Sequence, residues 1–422
     1  MNLLVQKARI IDPNSAFNGK ICDLLIENGL IKDIKESIAA PAGVKTFTAA
    51  NLHASPGWFD LQANFRDPGF EFKEDLNSGA EAAAAGGFTG VALMPSTNPP
   101  IHSKSEVEYI RQKGKSTAVD IYPIGTLSHK LEGKELSEMY DMHLSGAVAF
   151  SDDKSPVKNA GLLVRALLYS RNFNRLIMTH CEELSLSADG KMNEGVTSTE
   201  LGLKGMPALA EEVMLVRNIQ LAEYADAPIH ICSVSTAGAV TLIRAAKAKG
   251  LKISASVNAH HLGLADTSLS EFDSNKKVNP PLRSLSDIKA LKEGLADGTL
   301  DVIVSDHAPE DTESKVLEFD HAAFGMIGLE TAYALANTHS GLSPEQLVSK
   351  LAITPRKLLQ LEIPSITIGK PANLSFFDPE ATWTFQSSDI RSKSKNTPFI
   401  GSTFKGKVWG TYNRGTLVAS SF

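Results

Sequence analysis

The sequence predicts an α/β fold, a (β/α)8 TIM-like barrel with a small β-sandwich domain built from both chain termini. Both ends of the chain are rich in strand-like runs, and eight apolar runs alternate with helical stretches between them. Eight strand–helix units within roughly 300 residues fit a closed parallel barrel. We expect the barrel to span 56–364 and the β domain to combine 1–55 with 365–422.

The two chain ends have the composition of β strands. The stretches "LLVQKARIID" (3–12) and "CDLLIENGLIKDI" (22–34) are rich in branched apolar residues, and Asn28-Gly29 is a strong hairpin-turn signal. The stretches "ANLSFFDP" and "KGKVWGTYNRGTLVAS" have the same character near the other end, with Asn413 and Gly415 at a turn.

The middle of the chain alternates between apolar runs and amphipathic stretches. Helices are predicted over 75–87, 207–225 and 236–250, and loop insertions after the fifth and seventh runs. The eight runs are 57–61, 88–94, 118–125, 146–151, 176–180, 228–232, 251–257 and 300–306.

Composition excludes several classes of protein. The net charge of −6, with acids and bases interspersed, gives no sign of a nucleic-acid partner. There is no apolar stretch of roughly 18 residues and no signal-peptide pattern at the start, so we expect no membrane association. Cys22, Cys181 and Cys232 are too few for a disulfide framework and suit the core of a cytoplasmic protein.

Polar residues collect where the predicted barrel strands end, which is where such barrels carry their chemistry. Asp306 and His307 close an almost wholly apolar run, where an uncompensated acid would be costly. The other strand-end residues are Gln62, Asn64, Arg66, Ser96, Asn98, Asp152, Asp153, His180 and Ser233.

Structural roles compete with functional ones at several positions. An Asp-Asp pair such as 152–153 is often a turn or a helix cap, and a strand-end histidine is often structural. His260-His261 could contact a substrate or simply pack at a helix start. We interpret His230, inside a strand run, as structural, and we assign no role to His53, which precedes the first barrel strand.

A series of motifs gives the sequence a family resemblance. They are "PGWFDLQANFRDPG", "MPSTNPP", "FSDDKSP", "THCEE", "NEGVTSTELGLKGMPALAEE", "ICSVSTAG", "KVNPPLRS", "SDHAPE", "AAFGMIGLET" and "NTPFIGSTFKGKV". In this order, and nearly end to end, the chain resembles dihydroorotases of the long bacterial type, in the amidohydrolase superfamily. Within them it is most similar to non-catalytic homologues that lack metal ligands.

The resemblance implies a reaction and a cofactor. The family hydrolyses the cyclic amide of dihydroorotate, or closes the ring of N-carbamoyl-aspartate, in pyrimidine biosynthesis. One or two zinc ions are held by two first-strand histidines, a bridging acid, two further histidines and a final aspartate that also acts as general base or acid. Zinc lowers the pKa of bound water to about 7 and polarises the carbonyl group.

Transferred residue by residue, the family pattern is only partly kept. The resemblance implies metal positions at Asp153, His180 and Asp306, with Asp306 catalytic, and Asp153 is chosen over its neighbour by its spacing to His180. Substrate contacts are implied at Arg66, Ser96, Asn279 and His307, with Ser96 in place of an asparagine. Three histidine ligands are replaced by Gln62, Asn64 and Ser233, and the final histidine of the "DHAPH" run is Glu310.

These departures weaken the predicted zinc site. Glutamine, asparagine and serine offer neutral oxygens, which are poor zinc ligands, and neither family metal keeps three protein ligands. We therefore expect no metal, or one weakly bound ion. Asp153, His180 and Asp306 could bind one ion together only if they came closer to one another than the family geometry places them. The framework glycines, prolines and apolar residues are kept, which is typical of a chain retained for its shape.

Three hypotheses follow, from different classes of protein. The first is an inactive dihydroorotase homologue that supports aspartate carbamoyltransferase. The chain would form a hetero-oligomer with that enzyme, or a homo-oligomer. The second is an active dihydroorotase, or a related cyclic amidase, with an atypical or single-metal site. The third is a binder that uses Arg66 and Asn279 to hold an acidic ligand such as dihydroorotate or carbamoyl-aspartate without turnover.

Overall fold

A barrel and a terminal sheet make up the protein in the computed structural model, which describes residues 1–420. The strands are β1 Leu3–Ile10, β2 Ile21–Glu27, β3 Leu30–Lys35, β4 Lys45–Phe47, β5 His53–Pro56, β6 Trp58–Ala63, β7 Phe88–Leu93, β8 Asp120–Pro123, β9 Ala149–Phe150, β10 Leu176–His180, β11 Met192–Asn193, β12 Gly205–Met206, β13 Ile229–Cys232, β14 Ile253–Asn258, β15 Val302–Val304, β16 Leu374–Thr384, β17 Thr403–Asn413 and β18 Thr416–Ala419.

Helices separate most of the barrel strands, as the sequence predicts. They are α1 Leu76–Ala85, α2 Lys104–Lys113, α3 Met139–Ser145, α4 Ala160–Arg171, α5 Leu184–Ser187, α6 Val196–Leu201, α7 Ala208–Ala225, α8 Ala237–Ala248, α9 Leu285–Ala296, α10 Thr312–Lys315, α11 Leu329–His339, α12 Pro344–Val348 and α13 Thr354–Leu358.

Eight parallel strands close into the barrel, one from each predicted apolar run. β6, β7 and β8 pair in order, and β9, β10, β13, β14 and β15 form the second arc. Parallel bridges from Gly125 to Phe150 and from Ala63 to His307 join the arcs at their two ends. The predicted barrel fold is confirmed, with β11 and β12 in the insertion after the fifth barrel strand.

Strands from the two chain ends pair into one eight-stranded sheet with the order β18-β17-β16-β5-β1-β2-β3, and β4 also pairs with β1. Phe47 on β4 packs against Phe376 on β16 with ring centroids 4.9 Å apart, although these strands are not hydrogen-bonded neighbours. Residues from both chain ends, among them Leu24, Phe376 and Tyr412, belong to one apolar cluster, so the strands of the two ends share a core. The turn at Asn28-Gly29 has positive φ at both residues, which suits a tight hairpin.

The core has separate apolar layers inside and outside the barrel. Phe59, Leu61, Met178 and Val304 lie in an interior cluster, whereas the larger cluster, with Trp58 among its members, lies between strands and helices. The β6–β7 register shifts between Asp60 and Ala63. Leu61 belongs to the interior cluster, and the next residue, Gln62, forms a hydrogen bond with Asp306 at the mouth of the barrel.

The predicted helices form with recognisable end signals. Asp75 caps α1 by accepting from the backbone N–H groups of Asn77 and Ser78, and Gly86 ends that helix. The three cysteines are buried and free. Within residues 1–420, no helix has both the length and the apolar composition needed to cross a membrane.

Candidate functional site

The centre of the site is the Asp306 carboxylate, which follows the eighth barrel strand and is 5% exposed. Its Oδ1 accepts a hydrogen bond from Gln62 Nε2 at 2.7 Å, and its Oδ2 accepts one from Asn258 Nδ2 at 2.9 Å. The Lys154 ammonium lies 3.0 Å from Oδ1 and 3.2 Å from Oδ2. The carboxylate is therefore surrounded by hydrogen-bond donors.

Gln62 links Ser233 to Asp306. Besides Asp306, its Nε2 donates to Ser233 Oγ at 2.9 Å. Asn64 is also buried, and its backbone N–H donates to the His307 carbonyl oxygen at 2.8 Å across the barrel closure. The structure thus brings Gln62 into direct contact with both Ser233 and Asp306.

The Asp152-Asp153 pair divides into a structural and a mouth residue. Asp152 accepts from the backbone N–H groups of Leu127 and Ser128, both at 2.9 Å, and burial raises its pKa to about 6. Asp153 has φ 50° and accepts from Ser96 Oγ at 2.6 Å. Its other oxygen is buried without a hydrogen-bond partner in the described part of the chain. Asp153 is thus the member of the pair with a carboxylate oxygen left unpartnered in residues 1–420, and its role as the bridging position stays a prediction.

His180 is held in place by the neighbouring acid Glu182. Its Nε2 lies 3.2 Å from Glu182 Oε2, and Glu182 also accepts from Ser187 Oγ at 2.6 Å and from Asn279 Nδ2 at 3.0 Å. Burial acts to raise the pKa of Glu182, but these hydrogen bonds outweigh it and lower the pKa to about 2. His180 and Asn279, predicted for metal and substrate, are both bound to Glu182.

Arg66 forms an internal ion pair. Its Nη2 donates to Glu310 Oε1 at 2.6 Å, and its Nε donates to the Pro309 carbonyl oxygen. Lys73 lies 2.5 Å from the other Glu310 oxygen, and the Glu310 side chain is only 7% exposed. The guanidinium predicted to hold a substrate carboxylate is therefore occupied by a carboxylate of the same chain.

His307 faces the barrel wall. Its side chain is fully buried, its Nδ1 accepts from the Gly328 N–H at 3.2 Å, and its Nε2 lies 3.5 Å from Glu74 Oε2. A ring enclosed in this way offers no nitrogen to a ligand in the mouth. The predicted substrate contact at His307 is replaced by a packing role.

The remaining histidines discussed above are also buried. His230 is fully buried 2.8 Å from Ser254 Oγ, and burial lowers its pKa to about 3, which is consistent with the predicted structural role. Burial, followed by the nearby positive charge of Lys154, lowers the pKa of His260 to about 3. Burial likewise lowers the pKa of His261 well below its usual value. Neutral, buried rings favour the packing role of His260 and His261 over a substrate contact.

The donor set does not fit a family-type zinc ion. Across residues 1–420, no three His, Cys, Asp or Glu side chains are grouped as metal ligands. Asp306 already accepts from Gln62 and Asn258, so the atoms left without partners in residues 1–420 at these three positions are His180 Nδ1 and Asp153 Oδ1, one short of three ligands. A catalytic zinc usually needs three protein ligands with free lone pairs directed at one point.

Several residues of the site were not identified from the sequence. Lys154 and Glu182 have a local signal, since each stands within two residues of a predicted ligand. Asn258 and Lys73 have none, because their contacts with Asp306 and Glu310 join distant segments.

The fold defines the class of the protein as a (β/α)8 barrel with an attached β domain. L-hydantoinase (dihydropyrimidinase) from Arthrobacter aurescens has the same fold, with a TM-score of 0.86, 23% identity, and coverage of 99% of this chain and 96% of that chain. Dihydropyrimidinase from Brevibacillus agri NCHU1002 gives a TM-score of 0.83 at 21% identity over 100% of this chain and 95% of that chain.

Within that class, sequence comparison is more specific. A family model described as dihydro-orotase-like matches residues 54–239. Dihydroorotase of Geobacter metallireducens is 43% identical over 422 residues, covering 99% of both chains. Dihydroorotase of Pelotomaculum thermopropionicum is 44% identical over 424 residues, covering 99% of this chain and 98% of the relative. The chain belongs to the dihydroorotase family, which confirms the resemblance seen in its motifs.

Proposed function

We propose that this dihydroorotase homologue serves pyrimidine biosynthesis without catalysing ring hydrolysis, by supporting aspartate carbamoyltransferase as a structural partner. The observation that carries the proposal is the hydrogen bond from Gln62 Nε2 to Asp306, made by the same nitrogen that binds Ser233. Two neutral side chains and the retained acid are thus bonded to one another at positions where the family binds metal.

The environment of Asp306 also argues against a role as general base. A general base must be free to accept a proton from the attacking water, and its carboxylate must be within reach of that water. Gln62, Asn258 and Lys154 contact both oxygens of Asp306 from a buried site. No neighbouring group in this set activates water, because each of the three directs a hydrogen-bond donor towards the carboxylate.

The substrate side of the site supports the same proposal over the binder hypothesis. Arg66 would need to exchange Glu310 for an incoming carboxylate, and the second cation, Lys73, also contacts Glu310. Asn279, the other residue proposed for the binder, donates to Glu182. An acidic ligand must therefore compete with two internal acids.

The first test is dihydroorotate hydrolysis by the purified full chain in excess zinc, with metal content measured on the same sample. We expect no turnover and well under one metal per chain. Turnover that follows zinc content and is lost in Asp306→Ala would contradict the proposal and establish the active alternative with an unusual ligand set.

The partner role needs a separate measurement. The full chain is mixed with aspartate carbamoyltransferase from the same organism, and the mass of the product is determined by size-exclusion chromatography with light scattering. We expect a stable complex and higher carbamoyltransferase activity than in the unmixed enzyme. Two unassociated proteins with unchanged activity would contradict the partner role.

A further inference from the structure

Lys154 is fixed in place by the turn that follows the fourth barrel strand. Asp152 is anchored to the neighbouring loop, and its carbonyl oxygen accepts from the Ser155 N–H at 2.9 Å. Asp153 takes a positive φ within this turn. The backbone on both sides of Lys154 is therefore constrained, and its side chain reaches from the rim to the buried acid.

The ammonium group lies where a cation can contact both oxygens of Asp306. Nζ is 3.0 Å from one oxygen and 3.2 Å from the other, while the lysine side chain keeps 27% of its surface exposed. Lys158, four residues along, is exposed and forms no ion pair with any residue of the described chain. Contact with the site thus distinguishes Lys154 from the other lysine of this loop.

We propose that the Lys154 ammonium is a built-in cation that takes the place of a metal ion at Asp306 and excludes divalent ions from the site. A buried carboxylate is stabilised by hydrogen bonds or by a compensating positive charge, and Lys154 supplies that charge at Asp306 without any ligand. The same charge repels an incoming cation, since both would have to share one carboxylate. The inference rests on the proposed function, because it explains why the site needs no metal.

The decisive test restores part of the missing ligand set. A parent variant carries Gln62→His and Asn64→His, which together with Asp306 offers three zinc ligands. Zinc affinity is compared in this parent, in the parent with Lys154→Met, and in the parent with Lys158→Met as the matched control. The readouts are zinc per chain after dialysis and the zinc-induced rise in melting temperature, so no activity is required.

We expect Lys154→Met to raise zinc affinity by at least about tenfold, while Lys158→Met leaves it unchanged. Equal affinity with and without Lys154 would overturn the inference, and a fall in affinity would mean that Lys154 acts as a ligand. Turnover by the unmodified chain refutes the proposed function, whereas this comparison tests Lys154 itself, so the two failures are distinguishable.

A second measurement covers the case in which the parent variant does not fold. In the otherwise unmodified chain, Lys154→Met is compared with Lys154→Arg and Lys158→Met by thermal unfolding. We expect a lower melting temperature only in Lys154→Met, with Lys154→Arg close to the unmodified chain because it keeps the charge. A melting temperature of Lys154→Met equal to that of Lys158→Met refutes a compensating role for the ammonium.

Discussion

Replacing Glu310 tests whether the substrate side of the site is closed by the chain's own carboxylate. In Glu310→Gln the shape of the side chain is kept, but the charge shared by Arg66 and Lys73 is removed. The two cations, whose side chains are 15% and 18% exposed, then lose the carboxylate that they share, and only the more distant Asp311, 3.8 Å from Lys73, remains beside them. We expect a less stable protein that has gained affinity for small dicarboxylates.

The size of the stability loss follows from the contacts. Glu310 accepts charged hydrogen bonds from Arg66 at 2.6 Å and Lys73 at 2.5 Å, and such bonds contribute about 1.5–3 kcal/mol each. Breaking a fully buried pair costs about 3–5 kcal/mol, but here water reaches both cations and the glutamine oxygen still accepts one bond. We therefore expect the free energy of unfolding to fall by about 2–3 kcal/mol.

Two assays follow these effects. Urea unfolding gives the stability difference. The control is Glu313→Gln, a substitution at an exposed position of helix α10. Thermal unfolding with added succinate then measures ligand binding, and we expect a concentration-dependent stabilisation of Glu310→Gln alone. A variant as stable as the control and indifferent to succinate would refute the idea that Glu310 occupies a carboxylate site.

The fold and its pH dependence give further predictions. In Gly87→Ala the new Cβ meets the Trp58 ring at a positive φ, whereas Gly250→Ala has a similar φ and open space. Urea unfolding should therefore show a loss about 1–3 kcal/mol larger for Gly87→Ala, and equal losses would contradict the packing. In the folded protein the pKa of Glu182 is lowered from 4.5 to about 2. The ionised carboxylate therefore stabilises the fold above pH 4.5, and this stabilisation is lost as the pH falls towards 2. Acid titration of stability should show a loss of about 3 kcal/mol in this window that is absent in Glu182→Gln, and identical curves would refute the assignment.

The sequence predicted the barrel well because its strands have local patterns. Each of the eight runs overlaps a barrel strand, and helices α1, α7 and α8 lie inside the predicted stretches. The run 118–125 gave only the four-residue strand β8, since its ends turn into loops. Apolar runs and helix caps act over a few residues, which is why they can be identified from one chain.

The chemistry of the site was less accessible because it depends on contacts between distant segments. The motifs identified Asp306 and Arg66, but nothing near them in the sequence shows that Lys154 and Glu310 would pair with them. For His307, strand-end position suggested the mouth, whereas the ring turns towards Glu74. Side-chain direction at a strand end is set by tertiary packing, which periodicity does not report.

The sheet shared by the two chain ends also governs how the protein is made. β5 pairs with β1 on one side and with β16 on the other, and these partners are separated by more than three hundred residues of sequence. During synthesis on the ribosome, the edge of β5 that pairs with β16 in the folded protein stays unpaired until β16–β18 have been made. Such an edge can pair with other chains, so the barrel, whose strands are contiguous, is the part that can fold while the edge is still open.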